Sequence, residues 1–314
     1  MKVSVINVVY NTKKWMKLSF DAVFAQTHKD LEVFAVICAN DDGGKEFLQQ
    51  NYPNVKILDP GKNLGFAGGN NLAIKGSNGE FIQLVNPDLI MEPNYIEEML
   101  KAFQDSKVAA ATGKLLRYDF EKHEKTKIID TTGVIMSSSG RARDRGQNEP
   151  DAGQFDTQTD VFGVSGAGPM YRKSALEKIK YQQEYFDEDF MAYWEDVDLS
   201  WRLNNSRYVH RYVPNAVAFH GRTAGQSQGG YSHLFKFIQH HQKLSSQVLR
   251  LNYKNHILMY LKNARHVWHP AFILRELVMF GYILIFETST LKVVPELFRQ
   301  IPKIWTKRKA ALSR

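Results

Sequence analysis

The first hundred residues alternate short apolar runs with stretches whose apolar positions recur at helical spacing. The runs predict strands and the stretches predict helices: strands at 3–9, 33–38, 55–58, 81–85 and 108–112, and helices at 15–24, 47–50, 70–74 and 93–103. This alternation is typical of βαβ units. It predicts an α/β domain with a mainly parallel sheet flanked by helices.

The pattern changes after the fifth predicted strand. Residues 114–160 show no sustained period, so we expect a binding loop or disorder there, with short edge strands at 128–130 and 134–136. Core-like sequence returns at 161–171. From 236 onward the chain reads as helical and basic, which predicts a first domain at 1–235 and a helical extension at 236–314.

Charge is distributed unevenly along these 314 residues. The net charge is +8, and residues 236–314 contain 14 Lys and Arg against 3 Glu. Because these cations alternate with Leu, Ile, Phe and Trp, they favour an amphipathic surface for an anionic membrane over one for nucleic acid. The uncharged apolar run 277–286 is too short to span a bilayer, which needs about 20 residues. We therefore expect a peripheral protein at the inner face of the cell membrane.

Two further features bear on localisation. The chain enters a strand pattern at its first residues, so no signal peptide is expected. The single cysteine, Cys38, lies in an apolar run and can form no internal disulfide, which predicts a small buried residue in a reducing compartment.

The candidate chemistry begins with carboxylates in apolar surroundings. Residues 187–198 mix Asp and Glu with Phe, Tyr and Trp, and charge buried without a partner is costly, so we expect a catalytic role for this run. Asp88 follows a predicted buried strand, where open α/β sheets bind ligands. Asp88 and His220 are candidate ligands of a divalent cation that would take its other oxygens from a diphosphate and water.

Two local patterns refine this hypothesis. The glycine-rich turn at 62–71 would let the backbone approach a nucleotide, although it matches no standard phosphate-binding fingerprint and a plain tight turn is the alternative. Glu195 and Asp196 are adjacent, so one would act as general base and the other would support it. Asp198 and Arg202 are four residues apart and predict a structural ion pair within a helix.

Five motifs in chain order resemble glycosyltransferase family 2, the inverting enzymes of the GT-A fold, which is a Rossmann-like α/β fold. They are Val8-Val9-Tyr10-Asn11, Gln26-Thr27, Asn86-Pro87-Asp88, the run from Trp194 to Asp198, and His220. The subgroup that the chain most resembles is the bacterial rhamnosyltransferases of cell-surface polysaccharide synthesis. That likeness rests on the turn from Asn63 to Asn70, on Asn-Pro-Asp, and on residues 129–133 with Gly140 and Asp144.

The resemblance implies roles for individual residues. A dTDP- or UDP-sugar donor would contact a set of mostly polar positions, namely Tyr10, Asn11, Asp41, Asp42, Asn63, Gly65, Phe66, Asn71, Asn86, Asp88 and Arg222. Mg²⁺ or Mn²⁺ would be held by Asp88 and His220. Asp196 would be the catalytic base, and Glu195, Trp194 and Gly166 would contact the acceptor, a lipid-linked oligosaccharide. The transferred sugar would be L-rhamnose.

The chain departs from the family pattern at two places. Asn86 stands where many relatives have the first Asp of the metal motif, and Ile37-Cys38 stand where relatives have Asp-Asn after the second strand. Either Asp41 or Asp42 replaces the residue that reads the base, or base recognition is altered. A UDP-hexose or UDP-N-acetylhexosamine donor stays open, as do a sugar nucleotidyltransferase, which should carry a glycine-rich Arg/Lys loop near 8–20, and a non-catalytic binding module.

Overall fold

The computed structural model describes residues 1–222 and 234–312. Its strands are β1 (Val3–Tyr10), β2 (Leu31–Ala39), β3 (Lys56–Leu58), β4 (Phe81–Leu84), β5 (Leu89–Met91), β6 (Val108–Asp119), β7 (Glu124–Thr131), β8 (Val134–Met136), β9 (Ala142–Asp144), β10 (Thr159–Val161), β11 (Met170–Arg172) and β12 (Val209–His220). Its helices are α1 (Lys13–Phe24), α2 (Gly44–Asn51), α3 (Gly65–Gly76), α4 (Tyr95–Lys101), α5 (Lys173–Ile179), α6 (Glu195–Asn205), α7 (Leu234–Lys243), α8 (Ser246–Asn263), α9 (Pro270–Phe286) and α10 (Val294–Leu312). Short 3₁₀ turns lie at Ala102–Gln104, Glu188–Phe190 and Thr288–Val293.

The main sheet has ten strands in the order β10-β12-β6-β11-β4-β1-β2-β3, with β5 paired to β12 and β7 to β6. β3, β2, β1 and β4 are parallel, as the alternating pattern predicts. β11 enters antiparallel between β4 and β6, and β12 then runs parallel to β6. The predicted α/β class is confirmed, and the antiparallel insertion makes the sheet mixed.

Helices cover both faces of the sheet. α1, α2 and α4 pack on one face through Met16, Leu48 and Met99, while α3, α5 and α6 pack on the other through Ile74 and residues of similar character. Because both faces are covered, the central strands are apolar at nearly every position, as β2 shows at every residue except Glu32. β1, β2 and β4 run in the same direction, so their carboxyl ends lie at one common edge of the sheet.

The segment at 114–160 forms regular structure, so the expectation of disorder there is wrong, whereas the short strands predicted at 128–130 and 134–136 lie within β7 and β8. β6 continues to Asp119 and pairs with β7, and β8 and β9 form a separate hairpin. Gly140 in the turn of this hairpin has φ +76°, and a Cβ there would lie 2.4 Å from Tyr260 of α8. The hairpin therefore packs against the C-terminal helices and does not extend freely into solvent.

The C-terminal helices are joined to the first part of the chain by buried ion pairs. Lys262 of α8 lies 2.6 Å from Asp187 and 2.9 Å from Asp198, and Lys307 of α10 contacts Asp187 and lies 2.7 Å from Asp189. The expectation that the acidic run is wholly catalytic is therefore corrected, because Asp187 and Asp189 anchor helices. These lysines are buried, so the tail's cations are only partly available to a membrane.

Two other predictions about this part of the chain have outcomes. The ion pair between Asp198 and Arg202 is confirmed, at 2.9 Å within α6. The predicted boundary at 235/236 lies inside α7, so it does not coincide with the end of a helix. In the chain as described, no helix by itself is long and apolar enough to cross a membrane, and α9 with Thr288–Leu312 meets that requirement only as a pair bent by 117°.

Candidate active site

A cavity of about 640 Å³ lies at the edge where the parallel strands end. It brings together residues from distant parts of the chain, including Tyr10, Asn63, Gly65, Phe66, Asn86, Gly166, Trp194, Glu195, Asp196, His220 and Arg222. These are eleven of the predicted site residues. Cys38 also lines this cavity, buried as expected, where burial raises its pKa.

Asp196 occupies the first turn of α6 and is held by backbone donors. The N–H of Gly166 donates to Asp196 Oδ2 at 2.8 Å, and the N–H of Val197 donates to Oδ1 at 2.8 Å. Burial raises the pKa of Asp196 to about 6, against the effect of these two donors. The carboxylate is therefore ionised near neutral pH and still basic enough to take a proton, which suits a general base.

Glu195 has a different electrostatic environment. Its side chain is buried, and among the described residues its Oε2 has no hydrogen-bond partner. Burial, with the neighbouring Asp196 and Asp198, raises its pKa well above the ordinary value. The two adjacent acids therefore lie in different environments, because Asp196 accepts from two backbone N–H groups whereas Glu195 Oε2 accepts from none of the described residues.

The backbone just before this pair is strained. Met191, Tyr193 and Trp194 have φ values of 62°, 69° and 71°, in the left-handed region that non-glycine residues rarely occupy. Asn255 of α8 supports them, because its Nδ2 lies 2.9 Å from the carbonyl oxygens of Phe190, Ala192 and Tyr193. The C-terminal helices thus hold the loop that places the first turn of α6.

A second group joins Asp88 to charged residues of the C-terminal strand. His220 at the end of β12 has Nε2 3.3 Å from Asp88 Oδ1 and Nδ1 2.8 Å from Asp130 Oδ2. Arg222 bridges Asp130 at 2.6 Å and Asp144 at 2.8 Å. Asp130 is deeply buried; burial opposes its charge, but His220 and Arg222 hold its pKa well below the usual range. Burial likewise opposes the charge of His220, and the facing carboxylates outweigh it and raise its pKa to about 10.

This arrangement fits a divalent cation bound together with a diphosphate. With a pKa of about 10, His220 carries a proton on both ring nitrogens in the absence of a cation, so a cation would have to displace the proton from Nε2 to bind there beside Asp88. Asp130, which accepts from Nδ1–H, would then orient the ring, as supporting carboxylates do at metal-binding histidines. Within the residues described, no three His, Cys, Asp or Glu side chains form a complete metal cluster. Two protein donors suffice where phosphate and water supply the rest.

The predicted base-reading residues Asn11, Asp41 and Asp42 are not among the residues that line the cavity, although Tyr10 at the end of β1 is. Asn11 and Asp41 bond each other, with Asn11 Nδ2 donating to Asp41 Oδ2 at 2.8 Å and the Asp41 N–H donating to Asn11 Oδ1 at 2.9 Å. Asp42 instead accepts from the N–H groups of Lys13 and Gly44 at 2.7 and 3.1 Å. Of the two acids, Asp41 is the more exposed and the better placed to meet a ligand.

The glycine-rich turn is a close-packed junction. Gly65 has φ +66°, and a Cβ there would lie 2.5 Å from the carbonyl oxygen of Met191, so only glycine lets the turn approach the strained loop. Asn63 accepts from the Gly65 N–H at 2.8 Å. Asn71 lies outside the cavity lining; its amide bonds the backbone of Phe186 and the side chain of Glu188, so it braces the fold.

Several residues with clear roles here were not singled out as site residues from the sequence. Asp130 and Asp144 were noted only as parts of a resemblance, and their partners are distant in the chain. Asn255 gave no signal, because one Asn in a polar helix has no distinctive spacing. Asn252 accepts from Trp194 Nε1 at 3.1 Å and also lines the cavity.

Comparisons with known proteins identify the family of the chain. The family model for glycosyl transferase family 2 matches residues 4–180. An N-acetylglucosaminyl-diphospho-decaprenol L-rhamnosyltransferase of Mycobacterium tuberculosis is 26% identical over 259 residues, covering 73% of this chain and 79% of that protein. The resemblance to this family and to its rhamnosyltransferases is thereby confirmed.

Solved structures show the same fold at low identity. A mannosyltransferase of Pyrobaculum calidifontis in complex with GDP-Man and Mn²⁺ has a TM-score of 0.55 and 14% identity, covering 99% of this chain and 84% of that chain. S. aureus TarS in complex with UDP-GlcNAc has a TM-score of 0.52 and 16% identity, covering 100% and 91%. These likenesses establish the GT-A architecture and leave the donor and acceptor to the chemistry of the cavity.

Proposed function

We propose, since the chain belongs to glycosyltransferase family 2, that it transfers L-rhamnose from dTDP-rhamnose to a hydroxyl of a lipid-linked glycan with inversion at the anomeric carbon. The observation that carries this proposal is that one cavity is lined both by Asp196, a carboxylate with a raised pKa, and by His220. His220 and Asp88 together form the candidate site for the cation and the donor diphosphate. The choice of rhamnose is supported by the relative with 26% identity.

The reaction follows from the position of Asp196. Its carboxylate accepts the proton of the acceptor hydroxyl as that oxygen bonds the anomeric carbon, and the bond from that carbon to the donor diphosphate breaks. Attack from the face opposite the leaving group inverts the centre. Glu195, whose buried Oε2 has no partner among the described residues, would hydrogen-bond a hydroxyl of the acceptor in the same cavity.

The leaving group is accommodated on the other side of the cavity. Asp88 and His220 would hold a divalent cation, Mg²⁺ or Mn²⁺, that offsets the charge developing on the diphosphate. Asp130 fixes the ring orientation of His220, and Arg222 adds a cation at the cavity wall. Asn11 and Asp41, which bond each other beside the cavity-lining Tyr10, would bond the base and so compensate for Ile37-Cys38.

We propose that one helix, α9, attaches the protein to a membrane, rather than the whole basic tail. Helix α9 exposes a run of large apolar side chains, namely Leu274, Leu277, Val278, Leu284, Ile285 and Phe286. Single exposed apolar side chains are normal on a protein surface, whereas a group of them on one helix marks an interaction site. The exposed cations Arg265 and Lys292 lie on either side of this helix in the chain, which suits an anionic lipid surface.

The test combines nucleotide binding with transfer. We expect dTDP with Mg²⁺ or Mn²⁺ to raise the melting temperature more than UDP does, and dTDP-rhamnose to react with an N-acetylglucosaminyl-diphospho-lipid acceptor. Asp196→Asn should abolish transfer while dTDP binding persists, and Asp160→Asn, at an exposed pair with Arg211, serves as control. Full activity in Asp196→Asn would refute the assignment, and preference for UDP would move it to a UDP-hexose or UDP-N-acetylhexosamine transferase.

A further inference from the structure

A second cavity of about 350 Å³ adjoins the first one. The two share six lining residues, namely Ala142, Arg143, Asp144, Trp194, Arg222 and Asn252. The second cavity then continues between the β8–β9 hairpin and helices α7, α8 and α9. Its volume falls within the range of small-molecule sites, about 300–1,000 Å³. It therefore extends the active-site cleft toward the apolar helix α9.

The charges in this second cavity favour an anion. Four arginines line it, Arg141, Arg143, Arg222 and Arg275, against two carboxylates. Both carboxylates are engaged, since Asp144 pairs with Arg222 at 2.8 Å and Glu287 with His241 at 2.5 Å. Arg143 is exposed and forms no ion pair with the described residues. Arg275 pairs through Nη1 with Glu276, and its buried Nε has no hydrogen-bond partner among the same residues.

Part of the wall of the second cavity is apolar. Five apolar side chains line it there, namely Phe237, Leu244, Leu249, Met279 and Ile283. The last two belong to α9 and are buried, whereas Leu277 and Ile285 of the same helix are exposed at 65% and 72%. One helix thus separates the cavity from the apolar surface assigned to the membrane.

We propose that the second cavity binds the phosphate groups and the first lipid units of an amphiphilic diphosphate acceptor. Arginines suit phosphate because their planar N–H groups donate in pairs. The apolar wall takes the adjoining hydrocarbon, and the shared residues place the acceptor's sugar next to Asp196. This inference deepens the proposed function and rests on a lipid-linked acceptor.

The probe is farnesyl diphosphate, a soluble amphiphilic diphosphate, titrated into the full chain by calorimetry, with inorganic diphosphate and farnesol in parallel. We expect farnesyl diphosphate to bind at least about tenfold more tightly than either fragment, since charge-assisted bonds and hydrocarbon burial act together. It should also bind in the presence of saturating dTDP. Displacement by dTDP would place it in the donor site and overturn the proposal, as would equal binding of inorganic diphosphate.

Matched variants locate the binding. Leu249→Trp fills the second cavity and Arg143→Glu reverses a charge in it, so each should weaken farnesyl diphosphate binding about tenfold or more. The controls are Leu274→Trp on the exposed face of α9 and Arg207→Glu, which lines neither cavity. Equal effects of variants and controls would refute the site. Because dTDP binding is measured separately and should survive Leu249→Trp, failure of this proposal is distinct from failure of the proposed transfer reaction.

Discussion

Replacing Asn255 by Leu tests whether a C-terminal helix sets the geometry of the catalytic loop. Asn255 Nδ2 lies 2.9 Å from three backbone carbonyl oxygens, and its two hydrogens satisfy buried acceptors of the loop that contains Met191, Tyr193 and Trp194. Leaving a buried acceptor unsatisfied costs about 1–3 kcal/mol. Leucine removes the donors and keeps a similar volume, so the loop loses its support without a large cavity.

The net loss of stability is smaller than the sum of two such bonds. Asn255 Oδ1 is itself buried without a partner among the described residues, and leucine removes that penalty. We therefore expect the free energy of unfolding to fall by about 2 kcal/mol, and the melting temperature of this 314-residue chain by about 3 °C. Each residue at positive φ stores about 1–3 kcal/mol of strain, so an unsupported loop should relax toward ordinary angles.

The assay separates this positioning role from simple destabilisation. Relaxation of the loop moves the first turn of α6, so kcat should fall about tenfold or more at a temperature where the variant is folded, while dTDP affinity changes little. Asn51→Leu, on exposed α2, is the control for the same substitution in a helix. A variant that loses stability and keeps its kcat would refute the reasoning.

Three more outcomes follow from the charges. Because burial raises the Asp196 pKa to about 6, protonation should lower kcat/KM about tenfold per pH unit below that value, and a flat profile down to pH 5 would contradict the base assignment. Lys262→Met removes one of the two cationic partners of each of two buried carboxylates, since Asp187 keeps Lys307 and Asp198 keeps Arg202, and should cost about 1.5–3 kcal/mol in urea unfolding, whereas the surface control Lys45→Met should change stability much less. Asp130→Asn should weaken Mn²⁺ affinity in the presence of dTDP about 10- to 100-fold, because His220 loses the partner that orients its ring; unchanged affinity would refute that role.

Much of the first part of the fold was readable from the chain. The strands and helices of residues 1–112 match the alternation of apolar runs, because strand and helix periods are properties of neighbouring positions. The order of the family motifs also indicated which residues gather at the strand ends. The acidic run at 187–198 was only half understood, since the burial of Asp187 and Asp189 against lysines depends on helices that begin over 50 residues later.

The sequence by itself determined the α/β class, the family and the adjacent pair Glu195 and Asp196, because these depend on local periodicity and on motifs of a few residues. Only the tertiary structure separated the two acids, through different burial and backbone donors. It also brought Asp130 to His220 across 90 positions and Asn255 to the strained loop across more than 60. Contacts of this kind arise from how helices and strands pack, and no short pattern along the chain records which distant side chains will meet.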